Sequence, residues 1–167
     1  RLAIKDKQEE KEERSLRFVD DHLLAMPHVA LGQVKKEMDY MLSLVEENMI
    51  LSFDAMENGS VVSRERIGEN EAIIDFTNSA LTKFLIKLSS GASESDERVI
   101  GSYFHVLNDL ERIGDHAENF YEIGEEMLSK KLEFSSSARS DIKAMHETVL
   151  RMLEIAKEAF EKLTKER

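Results

Sequence analysis

The chain has 167 residues, of which 41% are hydrophobic and 34% charged, with a formal net charge of −11 and no cysteine. That length supports one domain with its own core and is short for two. The missing cysteine excludes disulfides, thiolate zinc sites and cysteine nucleophiles and favours an intracellular setting, while the acidic balance excludes a broad basic surface for nucleic acid and is compatible with cations. One proline, sparse glycine and 7% aromatics suit long helices better than a β-sandwich, which needs turn residues every ten or so positions. No apolar run approaches the ~20 residues of a membrane span, and no signal-peptide pattern is present.

Residues 1 to about 15, RLAIKDKQEEKEERS, are rich in lysine and glutamate with little apolar periodicity, and read as a charged linker or solvated helix. Leu16, Phe18, Val19, Leu23, Leu24 and Met26 then form an apolar arm, helical or extended. It ends at Pro27, which disfavours helix at the residue before it. The predicted division is a linker and arm over 1–27 and a helical bundle over 28–167.

The first long helix is predicted from His28 to Glu57, with Leu31, Val34, Met38, Met41, Val45, Met49 and Phe53 recurring every three or four residues. Asn58-Gly59 is a stop signal, since both residues tolerate the left-handed conformation that follows a helix. Ser60 or Ser63 can cap the second helix, Val61 to Leu88. Its stripe is Ile67, Ile74, Leu81 and Leu88 at seven-residue spacing, filled in by Thr77, Phe84 and Leu85, with Glu71, Asp75 and Asn78 along one edge. Ser89 to Ser93 is a loop, and Ser93 with Asp96 reads as a variant capping box.

The third helix, Glu94 to Lys130, has Tyr103, Val106, Leu107, Leu110, Ile113, Ala117, Phe120, Tyr121, Gly124 and Met127 on its apolar face. Phe104, Asn108, Glu111, Asp115, Glu118 and Glu122 form the strip beside that face. Lys130 and Lys131 suit the helix dipole. After the Ser135-Ser136-Ser137 loop, the fourth helix, Ser137 to Lys165, is predicted to bury Ile142, Met145, Val149, Met152, Leu153, Ala156, Phe160 and Leu163. Four long helices with short loops predict an all-α, up-down antiparallel bundle preceded by the short arm. Helices two and three are consecutive and so sit side by side.

Two carboxylate pairs fall on those neighbouring helices, Glu71 with Asp75 and Glu111 with Asp115, each four residues apart and so stacked one turn apart on one helix face. With 34 acidic residues, chance alone supplies about seven such pairs, so spacing is weak evidence. Position is stronger evidence, because both pairs border an apolar stripe, where an unpaired carboxylate is costly to desolvate. Four hard oxygen donors facing each other have the composition of a metal site. Gly114 lies between Glu111 and Asp115, either for close helix packing or to make room for a partner helix or a ligand. A ferritin-like di-iron bundle needs Glu-x-x-His motifs, and none of the five histidines has a glutamate three residues before it. His116 reads as a solvated surface histidine, and His105 with Asp109 as a surface pair. No catalytic triad order, phosphate loop or dinucleotide fingerprint is visible, so nothing points to an enzyme.

The run Asn108-Asp109-Leu110-Glu111-Arg112-Ile113-Gly114-Asp115-His116-Ala117-Glu118-Asn119 closely resembles the signature helix of PhoU domains, helical proteins that restrain phosphate uptake and signalling in bacteria and archaea. The resemblance runs over about residues 28–165 and implies a PhoU-like, spectrin-like bundle. In that family each three-helix bundle carries paired acidic E(D)-x-x-x-D motifs, which in some members hold a multinuclear metal cluster. Carried over to this chain, it implies Glu71, Asp75, Glu111 and Asp115 as metal ligands, with Asn78 and Asn108 as further donors or orienting groups. Carboxylate ligation suits Mg, Mn or Fe, and Zn stays open. The chain has one motif set where stand-alone PhoU proteins have two bundles, and this points to a homodimer.

The entry Phe18 to Pro27, followed by Ala30-Leu31-Gly32-Gln33, resembles the junction before the PhoU-like tail of bacterial sodium/phosphate cotransporters. With Arg1 in place of a methionine and a charged start, the reading is a cytoplasmic C-terminal domain beneath the inner membrane. Its partner would be the transporter portion of the same parent chain, whose phosphate flux it tunes. A free-standing PhoU-type signalling regulator is the first rival, separated by whether transmembrane spans lie upstream. The second is a plain helical interaction module with a solvated acidic strip, separated by metal analysis.

Overall fold

The structure, a computed structural model, describes residues 14–165, with side chains through residue 162. The charged stretch expected at the start therefore lies mostly outside the described residues, as does the side chain of Leu163. Four helices follow the arm: α1 Pro27–Asn58, α2 Arg64–Ser89, α3 Glu94–Ser129 and α4 Ser136–Lys165. No strand occurs among the described residues, and no helix there is long and apolar enough to cross a membrane.

α1 starts with Pro27 in its first turn, where the missing N–H costs nothing. It ends at Gly59, whose φ of +67° is the left-handed conformation a side chain resists, with the Gly59 N–H closing on Ala55 O. α2 starts three residues later than its apolar pattern predicts. Ser63 occupies the cap position without donating or accepting there through its side chain. Ser93 does cap α3: its hydroxyl accepts from the Asp96 N–H at 3.2 Å and donates to the Asp96 carboxylate at 2.8 Å. α3 closes with Lys131 at φ +53°, with the Leu132 N–H bonded back to Met127 O and the Lys131 N–H to Leu128 O.

α1 is the central helix. All seven residues of its stripe are buried, as is Leu42 on the same face, and so are Leu44 and Ala55 to one side of it. It packs against α2, α3 and α4 together. Buried polar groups set the register of the first three helices. Asn70 on α2 donates to Asn48 Oδ1 on α1 at 2.8 Å, and Asn48 donates to Ile67 O at 3.3 Å. The Ser52 hydroxyl lies 2.5 Å from Ala117 O on α3. The closest approach is at Gly124 on α3, where a Cβ would sit 2.8 Å from the carbonyl carbon and Cβ of Ala55.

The arm lies across the α1–α2 end of the bundle. Val19 enters the core, and the Phe18 N–H donates to Glu37, a carboxylate only 1% exposed. Residues Asp21–Ala25 form one 3-10 turn, capped by the Asp20 side chain and tied to α2 through Lys87 and Asp21 at 2.9 Å.

α4 departs from its expected burial. Its Cα trace comes within 8 Å of α1 but of no other helix. It is held by Leu153 in the core, by His146 stacked on Phe53 with centroids 4.4 Å apart, and by His146 Nδ1 2.8 Å from Glu57. Met145, Met152 and Ala156, expected to be buried, are exposed. The reason is geometric: α1 has one free flank to offer, and a stripe that wide cannot be covered by one neighbour.

Helix–helix contact at the glycines predicts opposite signs for two similar substitutions. Gly124→Ala must push α3 off the α1 backbone and is expected to cost roughly 1–3 kcal/mol. Gly101→Ala, with nothing within 4 Å of the new Cβ, is expected to stabilise by about 0.5–1 kcal/mol through helix propensity. Urea unfolding of both variants checks the pair.

Candidate metal centre

The core stripe of α2 places the first carboxylate. Glu71 lies four residues after Ile67 and three before Ile74, both fully buried, so it shares their face and is drawn inward to 7% exposure. Asp75 comes one residue after Ile74 and turns out to the rim, where it is exposed. On α3 the equivalent core-facing position, between Leu110 and Ala117, is Gly114. A Cβ there would lie 3.0 Å from Glu71 Oε2 and 3.5 Å from Oε1. The space a side chain at Gly114 would take is filled by the Glu71 carboxylate and the tip of Ile74 from α2. Glu111 is half-buried beside it, and Asp115 is exposed. The position beside the apolar stripe therefore describes Glu71 and Glu111, while Asp75 and Asp115 form a solvent-facing rim.

Both oxygens of Glu71 are buried without a hydrogen-bond partner, and so is Asn78 Oδ1, one turn beyond Asp75. Burial raises the Glu71 carboxyl to about 7, helped by the negative charges of Asp75, Asp115, Glu118 and Glu111. Asp75 is raised by partial burial and by Asp115. Glu111 is raised by partial burial, Asp115 and Asp75, with Arg112 pulling weakly the other way. Glu118, seven residues after Glu111 and so on the same face, adds to this field; that spacing was the signal available for it. At its far end the acidic strip meets Arg64, which stands 3.6–3.8 Å from Glu118, Glu122 and Glu125. Among the described residues, no ion pair reaches Glu71.

The donors fit a hard cation in type and in charge: oxygen ligands, an excess of negative charge and a desolvated carboxylate with nothing to bond. They are not drawn together, for among the described residues no three acid or histidine side chains are gathered closely enough to hold an ion as they stand. Asn108 is exposed. His116 is exposed as expected; His105 and Asp109 are exposed too, but among the described residues no hydrogen bond or ion pair joins them.

The family model of the PhoU domain matches residues 38–124, from the middle of α1 to the close approach on α3. That is narrower than the span of the resemblance and leaves out the arm and α4. No curated protein and no solved structure matches the chain.

A buried acid whose folded-state pKa is above its unfolded value stabilises the fold while protonated, and that contribution is lost as it ionises. In chelator, the contribution of Glu71 is therefore full below about pH 4.5 and falls away as pH rises through about 7. Glu71→Gln is expected to flatten this decline and to be more stable than the parent at pH 8 by roughly 1–3 kcal/mol. Urea unfolding between pH 4.5 and 8 measures it; a variant less stable at pH 8 contradicts the assignment.

Proposed function

We propose, because the chain belongs to the PhoU domain family, that its α2–α3 groove is a cation-responsive centre through which a regulatory domain tunes phosphate transport. PhoU domains are regulators of phosphate homeostasis and not enzymes, so the chemistry asked of the site is recognition. The observation that carries the reading is Glu71: a buried carboxylate with no partner, facing three further acids across a glycine. Glu71, Asp75, Glu111 and Asp115 are the ligands, and Asn78 supplies a neutral oxygen from the same helix. A bound Mn, Fe, Mg or Zn ion would supply positive charge that removes the repulsion between α2 and α3. Glu71 and Gly114 set the inner limit of the groove, while Asp75 and Asp115, at the rim, are free to close on an ion from the solvent side. Cation binding thereby draws two helices together, a change that a membrane partner can read.

The resemblance of Phe18 to Pro27 to the junction of sodium/phosphate cotransporters supports a place for the domain on the cytoplasmic side of such a transporter, in the same parent chain. A metal-free interaction module is the second reading, favoured by the absence of three gathered ligands among the described residues.

Metal analysis and thermal melting decide between the two. Untagged protein is expected to hold Mn, Fe, Mg or Zn, and added Mn²⁺ at pH 7.5 to raise its melting temperature. Glu71→Gln with Asp115→Asn abolishes both effects while keeping the helical circular dichroism. No metal in the parent and no thermal shift leaves the interaction module standing. Phosphate uptake by the parent transporter is expected to change in the same double variant; uptake equal to the unmodified chain removes the regulatory role of the site.

A further inference from the structure

The contact between α2 and α3 is built in layers, and the layers differ in charge. Glu71 lies against Gly114 in one of them. Seven residues back along α2, and seven on along the antiparallel α3, the next layer sets Arg64 over Tyr121, ~10 Å away along the helix axes. There the signs are reversed. α2 presents a cation, and α3 surrounds it with Glu118, Glu122 and Glu125 at 3.6–3.8 Å. The fully buried Tyr121 ring lies 6.0 Å beneath the guanidinium.

Three carboxylates thus meet one cation, and at these distances none of the contacts is a hydrogen bond. Charge holds the cluster together, without the directed fork of a bidentate arginine pair. A compact ion meets that demand as well as a guanidinium does. The three acids are between a third and just over half exposed, so they are free to close on a smaller cation. Glu118 joins the two layers: it contacts Arg64 and also contributes to the negative field at Glu71. Glu111 to Glu125 is therefore one acidic strip with an internal cation at one end.

We propose that Arg64 is the resident cation of this strip, standing where an ion would otherwise bind and confining bound cations to the groove of Glu71, Asp75, Glu111 and Asp115. The inference rests on the cation-responsive reading of that groove. Arg64 is a positioning residue: it touches no ion and sets where the ions stop. Its charge is permanent, so α2 and α3 stay joined at this layer whether or not an ion is bound. Only the Glu71 layer is left to respond to the supply of cations.

Equilibrium dialysis of the intact chain against Mn²⁺ at pH 7.5, followed by metal analysis, counts the ions. Arg64→Gln is expected to take up about one Mn²⁺ per chain more than the parent. Arg64→Lys keeps the parent count, since charge and not the fork is what the acids hold. Adding Glu122→Gln and Glu125→Gln to Arg64→Gln removes the extra ion, with helical circular dichroism unchanged throughout. A second readout needs no metal. In chelator the three acids repel once the arginine is gone, so adding salt raises the melting temperature of Arg64→Gln more than that of the parent. If the parent binds Mn²⁺ and Arg64→Gln binds the same number, the proposal is overturned while the reading of Glu71 stands. If the parent binds none, that reading fails. An ion gained by Arg64→Gln then still upholds the role of Arg64, and none gained overturns both. An extra ion that persists in the triple variant, or a salt response equal to the parent's, also overturns the proposal.

Discussion

The arrangement depends on one costly burial, the Glu71 carboxylate set against the bare backbone of Gly114. Ile67 and Ile74 flank Glu71 on the same face, and burying each is worth roughly 1.5–3 kcal/mol. That gain outweighs the cost of desolvating one acid that can take up a proton at neutral pH. α2 therefore cannot roll to free Glu71 without exposing its isoleucines, and α3 cannot fill the space without losing the glycine. The acid is held inward by its apolar neighbours, and whatever satisfies it has to come from the groove.

That placement holds only if the helices do not slide. An apolar stripe tolerates a shift of one heptad, but a buried polar pair does not, because a slipped amide leaves its hydrogen bonds unmade in a dry interior. Asn48 with Asn70 ties α1 to α2, and Ser52 against Ala117 O ties α1 to α3. Gly124 over Ala55 adds a steric key at the other end of α3. Neither tie crosses from α2 to α3 directly. Between α2 and α3 themselves the links are the Arg64 ion pairs with Glu118, Glu122 and Glu125 and the seat of Glu71 against Gly114.

Much of this was legible in residue order because helical periodicity reports what a single helix can know about itself. The α1 stripe from Leu31 to Phe53, the left-handed stop at Gly59 and the cap at Ser93 are local signals, and each lies where its chemistry places it. What periodicity cannot supply is the number of neighbours a face will meet. The outer stripe of α4 has core composition, yet Met145 and Met152 stay in solvent because α1, and α3 through Tyr103 against Phe160, meet the other side of the helix. The same gap separates Glu71 from Asp75, equal in spacing but on opposite sides of the groove edge. Glu37 was invisible for another reason. An acid beside Met38 reads as the wet side of a helix until the arm crosses over it and supplies a backbone N–H.

The arm has a mechanical consequence. Arg14 donates to Ala72 O at 2.8 Å, Val19 is seated in the core, and Asp21 holds Lys87 near the end of α2. Tension applied to the chain ahead of Arg14 is therefore delivered to α2 at the peptide next to Glu71. Two of the three attachments, Arg14 on Ala72 and Asp21 on Lys87, fall on α2, so the arm is a tether whose first anchor is beside the carboxylate groove.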